Sequence, residues 1–253
     1  MATISTANSY IDGTGVLTSI LTAGAYGTAI KAIIIKAQND TSQGMVRFYV
    51  NNGVGNPKLI KEVGIPIVLS SSRDRTYSRI IPLRYTLAPN DILYASTQNG
   101  EVFNIIAIGL DWSYGGTVRS DRTQFYANTG IGTISTANTN RNGTGTMTQI
   151  LEAGVANVLT KGCLIKSITI KALQNVTPGM VRLFLEDLSS NKYLFYEVVI
   201  PPANYSGTFK SFIFNVPSFS WLRIQDGYKI YASTENSETF AVTANGVDWD
   251  YPV

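Results

Sequence analysis

The chain has 253 residues, of which 44% are hydrophobic and 15% are charged. This balance supplies enough apolar surface for packed cores and too little charge for a disordered chain. The 20 Lys and Arg residues barely outnumber the 17 Asp and Glu residues, and the cations are scattered singly along the chain. We therefore expect no nucleic-acid partner.

The second half of the chain repeats the motifs of the first half in the same order. The repeated motifs are Thr-Ile-Ser-Thr-Ala-Asn at 3–8 and 133–138, Gly-Thr-Gly at 13–15 and 143–145, Gly-Met-Val-Arg at 44–47 and 179–182, Tyr-Ala-Ser-Thr at 94–97 and 231–234, and Gly-x-Asp-Trp at 109–112 and 246–249. A period of about 130 residues is far longer than that of a solenoid repeat. It therefore indicates a duplicated domain.

Each copy has the pattern of a β-domain. The segments are short, rich in Ile, Val, Phe and Tyr, and separated by Gly, Pro, Asn and Ser. The strands predicted in the first copy lie near 3–7, 17–22, 29–37, 44–50, 57–65, 77–84, 91–97 and 103–112. Within 44–50, apolar side chains alternate with Arg47 and Tyr49, which predicts one core face and one exposed face.

About eight short strands, several of them joined by long loops, favour two packed sheets with crossing connections. We therefore predict an all-β chain made of two tandem jelly-roll-like β-sandwich domains. An immunoglobulin-like sandwich is the alternative. The first domain is predicted to cover 1–114 and the second 132–253. Residues 115–131, which lack sustained periodicity and contain several glycines, are interpreted as the linker.

The chain contains one cysteine, Cys163, and no histidine. No intramolecular disulfide can form, which favours assembly in a reducing cytoplasm. We expect Cys163 to be a small buried hydrophobic residue, because no histidine is present to activate the thiol. Residues 1–15 show no apolar segment of a secretory signal, and the longest apolar run, 32–35, is too short to cross a bilayer. We therefore expect no membrane partner.

The residue types exclude several chemistries. Catalysis by Ser or Cys with a histidine base requires a histidine, and a zinc site requires more His and Cys than the chain has. No Asp-rich loop has calcium-binding spacing. The Gly-Thr-Gly motifs at 13–15 and 143–145 lack the Lys and the helix of a phosphate loop, so they are interpreted as turns. We expect neither a metal nor a cofactor.

Paired carboxylates could in principle hydrolyse glycosides. The candidates are the acids that recur once in each copy: Glu62, Glu197, Asp111 and Asp248. No sequence feature brings the two acids of one copy together, so we predict that the protein is not an enzyme. We expect Glu62 and Glu197 to pair with Arg47 and Arg182 on neighbouring strands. Asp111 and Asp248 are expected to hold a turn at the end of a strand.

The chain is rich in aromatic residues, with 14 Tyr, 10 Phe and 3 Trp. Trp112 and Trp249 occupy equivalent positions, so we interpret them as structural residues that seal one end of each sandwich. Trp221 occurs in the second copy alone, in a segment that also contains Phe209 and Phe219. This asymmetry predicts either a partner-contact surface specific to the second domain or additional core packing.

Four motifs together resemble a known family. They are Gly-Met-Val-Arg, Lys-Glu-Val-x-Ile-Pro at 61–66 with the looser Tyr-Glu-Val-Val-Ile-Pro at 196–201, Tyr-Ala-Ser-Thr-x-Asn, and the closing Gly-x-Asp-Trp. They resemble small β-rich virion proteins of tailed bacteriophages, whose single domain ends in Ala-Ser-Thr, a Phe-containing strand and Gly-x-Asp-Tyr. Here the closing aromatic residue is Trp in both copies, each followed shortly by Tyr114 or Tyr251.

The resemblance implies a non-enzymatic structural protein of the virion, such as a capsid decoration or auxiliary protein on the head. Its implied partners are the major capsid protein or other virion proteins, with homo-oligomer or lattice contacts. The implied location is the virion, assembled in the host cytoplasm. A tail or connector accessory protein and a carbohydrate-binding module or adhesin are the alternatives. The polar N-terminal segment is expected either to extend as an arm onto a neighbour or to be disordered.

Overall fold

The computed structural model describes residues 1–25, 27–53, 55–71, 74–111, 125–154, 160–204, 212–216 and 222–250. Within these ranges every regular element is a β-strand. The chain divides into two compact units, one formed by Met1–Ser71 with Thr76–Gly115 and the other by Ser72–Arg75 with Gly116–Val253. The prediction of an all-β chain with two tandem β-sandwich domains is confirmed.

The first unit is built from antiparallel strands in two sheets. Its described strands are β1 (Ala2–Ile4), β2 (Thr18–Thr22), β3 (Thr28–Ala37), β4 (Gly44–Asn51), β5 (Lys58–Ile65), β6 (Ser78–Leu87), β7 (Ile92–Thr97) and β8 (Phe103–Asp111). The strand orders are β1-β8-β3-β6 and β2-β7-β4-β5. Consecutive strands alternate between sheets at several points, which is the connectivity of a jelly roll.

The second unit repeats this connectivity. Its described strands are β9 (Phe125–Ile134), β10 (Thr148–Glu152), β11 (Thr160–Ala172), β12 (Gly179–Glu186), β13 (Lys192–Ile200), β14 (Ile213–Val216), β15 (Arg223–Gln225), β16 (Lys229–Thr234) and β17 (Phe240–Asp250). One sheet has the order β10-β16-β12-β13, and the other β9-β17-β11-β14. Strand β15 also pairs with β11, so β14 and β15 together take the place that β6 has beside β3.

The core of the first unit lies between its two sheets. Ile33 and Ile35 of β3 and Ile105 of β8 contribute from one sheet, and Val46 and Phe48 of β4 from the other. Branched aliphatic side chains fit this surface because they pack well against neighbours on a pleated sheet. The alternation of Val46, Phe48 and Val50 on the core face is as predicted.

The other face of β4 is not exposed, contrary to the prediction. Arg47 and Tyr49 are buried. Residues near the start of the chain cover them, since the backbone N–H of Asn8 donates to the carbonyl of Thr97 at 2.8 Å and Tyr49 Oη donates to the carbonyl of Tyr10 at 2.8 Å. The N-terminal segment therefore folds back onto its own domain, and the expectation of an arm or a disordered end is wrong.

Part of the predicted linker is a strand. Residues 125–131 belong to β9, which pairs with β17 from Phe125 to Ile134. Residues 115–124 lie outside the described residues. The glycines in β9 serve close packing rather than a turn: a Cβ atom on Gly130 would clash with the carbonyl oxygen of Ile150. For residues 125–131 the linker prediction is therefore wrong.

A carboxylate joins two loops at one end of each sandwich. Glu101 accepts hydrogen bonds from the hydroxyl and the backbone N–H of Ser42, and Asn99 Nδ2 donates to the carbonyl of Gln43 at 2.9 Å. The second unit has the same bonds at Thr177, Pro178, Asn236 and Glu238. The last residue of the Tyr-Ala-Ser-Thr-x-Asn motif therefore helps to fix the loop that precedes β4 or β12.

Replacement of Glu101 tests this junction through its pH dependence. Burial raises the pKa of Glu101, but the hydrogen bonds from Ser42 and Asn99 lower it more, so that the pKa lies below its ordinary value. A carboxylate with a lowered folded-state pKa contributes stability above its unfolded pKa and loses it as the pH falls through the folded value. We expect Glu101→Gln to lower the free energy of unfolding at pH 7 by at most about 1 kcal/mol, since solvent screens this group.

The measurement is urea denaturation of the full chain between pH 3 and pH 7, over which the difference between Glu101→Gln and the parent should shrink with acidification. In a Ser42→Ala background the substitution should cost less at every pH. An equal cost in both backgrounds would show that the Ser42–Glu101 bonds do not stabilise the loop.

Candidate interaction surface

In each unit the segment between the first two strands crosses the outer face of a sheet. We call this segment the strap; it comprises residues 5–17 in the first unit and 135–147 in the second. Each strap forms an isolated parallel bridge with the strand that carries Tyr-Ala-Ser-Thr, between Ala7 and Thr97 and between Ala137 and Thr234. The two straps are thus placed equivalently on their own sheets.

One asparagine holds each strap in a closed loop. Asn8 Nδ2 donates to the carbonyls of Thr14 and Val16 at 3.0 and 2.9 Å, and its Oδ1 accepts from the N–H of Tyr10 at 3.0 Å. Asn138 makes the same three bonds with Thr144, Thr146 and Asn140. Because the amide is buried and uses both donors, the path of the loop is set by this side chain.

The Gly-Thr-Gly motif turns the chain within each strap, as predicted. Gly13 and Gly15 have φ values of 83° and 76°, in the left-handed region that favours glycine. Asp12 Oδ1 accepts hydrogen bonds from the hydroxyl and the N–H of Thr14, and these bonds lower the pKa of Asp12. Asn142 makes the corresponding bonds with Thr144 in the second strap.

A buried arginine joins each strap to the sheet beneath it. Arg47 donates to the carbonyl of Asn8 at 3.2 Å and, through Nε, to Glu62 Oε1 at 2.8 Å. Arg182 donates to the carbonyl of Asn138 at 3.1 Å and to Glu197 Oε1 at 3.3 Å. The predicted cross-strand pairing of Glu62 with Arg47 and of Glu197 with Arg182 is confirmed.

The second unit surrounds its arginine with more charge. Arg141 of the strap donates to Glu197 Oε1 at 2.9 Å, and Arg182 forms a further ion pair with Glu235 at 3.4 Å. Burial lowers the pKa of Arg182, and the two carboxylates oppose that effect. In the first unit Ile11 and Gln98 occupy the positions of Arg141 and Glu235. The side chain of Glu62 is consequently 42% exposed there, whereas that of Glu197 is fully buried.

The outward side chains of the two straps differ in character. Tyr10, Ile11 and Val16 are 59%, 60% and 50% exposed in the first unit. The equivalent positions in the second unit are polar: Asn140 and Thr146 are exposed, and Arg141, with a side chain that is 18% exposed, pairs with Glu197. We call Tyr10, Ile11 and Val16 the strap patch. It is an exposed apolar cluster on a loop whose conformation is fixed by hydrogen bonds.

Asp248 does not hold a turn, so that prediction is wrong. Strand β17 continues to Asp250, which places Asp248 inside the strand, opposite Cys163 of β11. Its carboxylate is fully buried and accepts from Asn128 Nδ2, which lies 2.9 and 3.0 Å from its two oxygens and also donates to the carbonyl of Glu152. Asp111 is the last residue of β8 and lies opposite Thr28, and its side chain is outside the described part.

The side chains of the aromatic residues singled out in the sequence lie outside the described part of the structure. Trp112, Phe209, Phe219 and Trp221 lie outside the described residues. Trp249 has its backbone in β17, and its side chain is likewise outside the described part. The sealing role of the two repeated tryptophans and the partner contact at 209–221 therefore stay predictions.

Cys163 is a buried structural residue, as predicted. Its side chain has no exposed surface, and burial together with its hydrogen bond to Asp248 raises the pKa of the thiol. In the first unit Thr28 takes the equivalent place opposite Asp111. Both units therefore place a side chain with a hydrogen-bond donor opposite the aspartate of the Gly-x-Asp-Trp motif.

Sequence reasoning missed Asn8 and Asn138, as well as the strap patch. The asparagines were visible as the last residue of the repeated motif at 3–8 and 133–138. The patch was visible as an apolar-to-polar difference between copies immediately beside a Gly-Thr-Gly motif that both copies share. Comparing the copies position by position for surface character, rather than for identity, would have found it.

Among the described residues, no group of three or more His, Cys, Asp or Glu side chains is arranged to hold a metal ion. The same part of the chain contains no helix that is long and apolar enough to cross a membrane.

No family model matches the chain, and no curated protein matches it. Among solved structures, the N-terminal CBM22-1-CBM22-2 tandem domain of Xyn10C from Paenibacillus barcinonensis is similar at 11% sequence identity. The match covers 92% of this chain and 82% of that chain, with a TM-score of 0.23. A likeness at this TM-score supports no conclusion about function.

Removal of the strap asparagine should destabilise each unit. Asn8→Ala and Asn138→Ala each delete three hydrogen bonds and leave backbone carbonyls without a partner, so we expect each to lower the free energy of unfolding by about 1–3 kcal/mol. Urea denaturation of the full chain measures the change. Asn140→Ala, at an exposed strap position, is the control and should cost less than about 0.5 kcal/mol. Similar stabilities for Asn138→Ala and Asn140→Ala would contradict the anchoring role of Asn138.

Substitution of Cys163 tests whether its hydrogen bond to Asp248 stabilises the second unit. Cys163→Ala removes a donor from the buried carboxylate of Asp248 and opens a small cavity, so we expect a loss of about 1–3 kcal/mol in unfolding free energy. Cys163→Ser restores an O–H donor of similar size and should recover most of the loss in thermal unfolding measurements. If serine were no better than alanine, the hydrogen bond to Asp248 would not be the stabilising contact.

Proposed function

We propose that this protein is a non-enzymatic structural protein of a virus particle that decorates the head of a tailed bacteriophage. The observation that carries the proposal is the strap patch of the first unit. It exposes Tyr10, Ile11 and Val16 together on one hydrogen-bonded loop. Apolar and aromatic side chains on a fixed loop lose little conformational entropy when a protein surface covers them.

The comparison between the two units supports this interpretation. Both straps are held by the same asparagine and arginine bonds, so the fold does not require apolar residues on the outer side of the strap. The second unit exposes Asn140 and Thr146 at two of these positions, and at the third position Arg141 pairs with Glu197. The apolar residues of the first strap are therefore best accounted for by contact with a partner, which we take to be the capsid lattice.

The motifs that resemble phage virion proteins also have a place in this proposal. Gly-Met-Val-Arg supplies Arg47, Lys-Glu-Val-x-Ile-Pro supplies Glu62, and Tyr-Ala-Ser-Thr-x-Asn supplies Asn99. These residues hold the strap and a loop to the sandwich. The motifs behind the resemblance therefore supply residues that stabilise the fold. The surface that binds the particle lies outside these motifs, on the strap patch of the first unit.

The first experiment adds purified protein to phage particles that lack it and images the mixture by cryo-electron microscopy. We expect ordered density on the head lattice with the first unit in contact. Density confined to the tail would contradict the placement on the head, and the absence of any bound density would contradict the whole proposal.

A strap exchange tests which surface makes the contact. The triple variant Tyr10→Asn, Ile11→Arg and Val16→Thr introduces the residues that the second strap already carries, so we expect it to fold and to bind particles at least tenfold more weakly. Leu188→Ser removes an apolar side chain that is 72% exposed in the second unit and should leave binding unchanged. Co-sedimentation with particles measures both. Equal binding by the triple variant and the parent would exclude the strap patch as the contact.

A further inference from the structure

A row of alternating charges crosses one sheet of the second unit. Glu152 of β10, Lys229 of β16, Glu186 of β12 and Lys192 of β13 are consecutive cross-strand partners. Lys192 Nζ lies 2.6 Å from Glu186 Oε2, and Lys229 Nζ lies 3.7 Å from Glu186 Oε1. Since directly paired residues share a face of the sheet, the four side chains form one continuous row, which we call the charge row.

Tyr231 and Gln149 lie beside the charge row. Lys192 Nζ is 4.7 Å from the centroid of the Tyr231 ring. Tyr231 Oη is 3.4 Å from Gln149 Oε1 and 3.5 Å from Glu186 Oε1, which is the upper limit for a hydrogen bond. Burial and the neighbouring carboxylate of Glu186 raise the pKa of Tyr231, so its hydroxyl keeps its proton and remains a donor. This donor is held only weakly by its present neighbours.

The fold does not require the charge row. At the aligned positions the first unit has Thr22 for Glu152, Asn51 for Glu186 and Ile92 for Lys229, while Tyr94 matches Tyr231. The first unit forms the same sheet in the same register with these uncharged residues. The strap bonds and the loop junctions occur in both units, whereas the charge row occurs only in the second. The second unit therefore carries donors and acceptors in this row that its sheet does not need.

The chemistry of the row selects a class of ligand. Two carboxylates and two ammonium groups leave it without net charge, so a charged ligand gains no net attraction. Donors and acceptors alternate from strand to strand over three strand spacings, about 14 Å. Beside them, Gln149 offers both an amide donor and a carbonyl acceptor, and its Nε2 donates to Glu152 Oε2 at 3.2 Å. A ligand that carries hydroxyl groups along its length satisfies both kinds of partner.

We infer that this face of the second unit binds a neutral oligosaccharide of two or three sugar units. The carboxylate of Glu152 accepts hydrogen bonds from sugar hydroxyls, and Lys229, Lys192 and Tyr231 donate to sugar oxygens, while the buried Glu186 holds the two lysines in the row. The ends of the row lie on β10 and β13, the edge strands of the sheet, so a longer chain can extend beyond it at either end. The inference does not depend on the proposed contact between the first unit and a particle.

The test uses the full chain and a panel of neutral di- and trisaccharides of glucose, galactose, mannose, xylose and N-acetylglucosamine. Isothermal titration calorimetry measures the affinity of each. We expect at least one to bind, and the triple variant Glu152→Thr, Glu186→Asn and Lys229→Ile, which carries the residues of the first unit, to bind it at least tenfold more weakly. Tyr231→Phe removes a single hydroxyl and keeps the ring, so it tests the site even if the triple variant does not fold; we expect a loss of at least threefold.

The strap exchange at Tyr10, Ile11 and Val16 is the matched control and should leave sugar binding at the parental affinity. A chain that binds sugar but not particles would uphold this inference and contradict the proposed function, and the converse result would do the opposite. Absence of binding to every member of the panel at millimolar concentration would overturn the inference. So would sugar binding that neither Tyr231→Phe nor the triple variant weakens.

Discussion

The buried guanidinium beneath each strap is the interaction on which the outer face of each sandwich depends. A buried charge must be paired and hydrogen-bonded, because the cost of removing it from water is several kcal/mol. Arg47 and Arg182 meet this requirement with a strap carbonyl and a carboxylate on the adjacent strand. Each strap must therefore lie across its sheet in one position. The sheet is then covered on its outer face by the strap and on its inner face by the core.

Fixing the strap from beneath leaves its outer side chains free to differ. The asparagine and the glycine turn set the backbone, so the residues that point to solvent contribute little to stability. The two copies use this freedom differently, with Tyr10, Ile11 and Val16 in one and polar residues in the other. The two copies also differ on the sheet beyond the strap, where the second unit carries the charge row and the first unit has uncharged residues at Thr22, Asn51 and Ile92.

The sequence predicted the strands and one cross-strand ion pair in each copy, because both follow from local patterns. Period-two alternation locates a strand, and an arginine and a glutamate at matching positions on adjacent strands indicate a pair. Alternation does not reveal what covers the second face, so the burial of Tyr49 was missed. Nor does it separate a glycine in a turn from Gly130 in β9, where close approach of a neighbouring backbone demands it. Asp248 was predicted in a turn because the sequence does not show that Asn128, 120 residues away, donates to it and allows its burial within β17.

Differences between the copies carry more functional information than their similarities. Residues shared by both copies, such as Arg47 and Arg182, are bound into the fold, and their chemistry is consumed by internal partners. Glu186 also pairs internally, with Lys192 and Lys229, but it belongs to one copy, and the other copy reaches the same strand register with Asn51. The first unit forms the equivalent sheet without a charge at this position, so the sheet itself does not require the buried charge of Glu186. The surfaces proposed for the two units are therefore different, and both are built on the same scaffold.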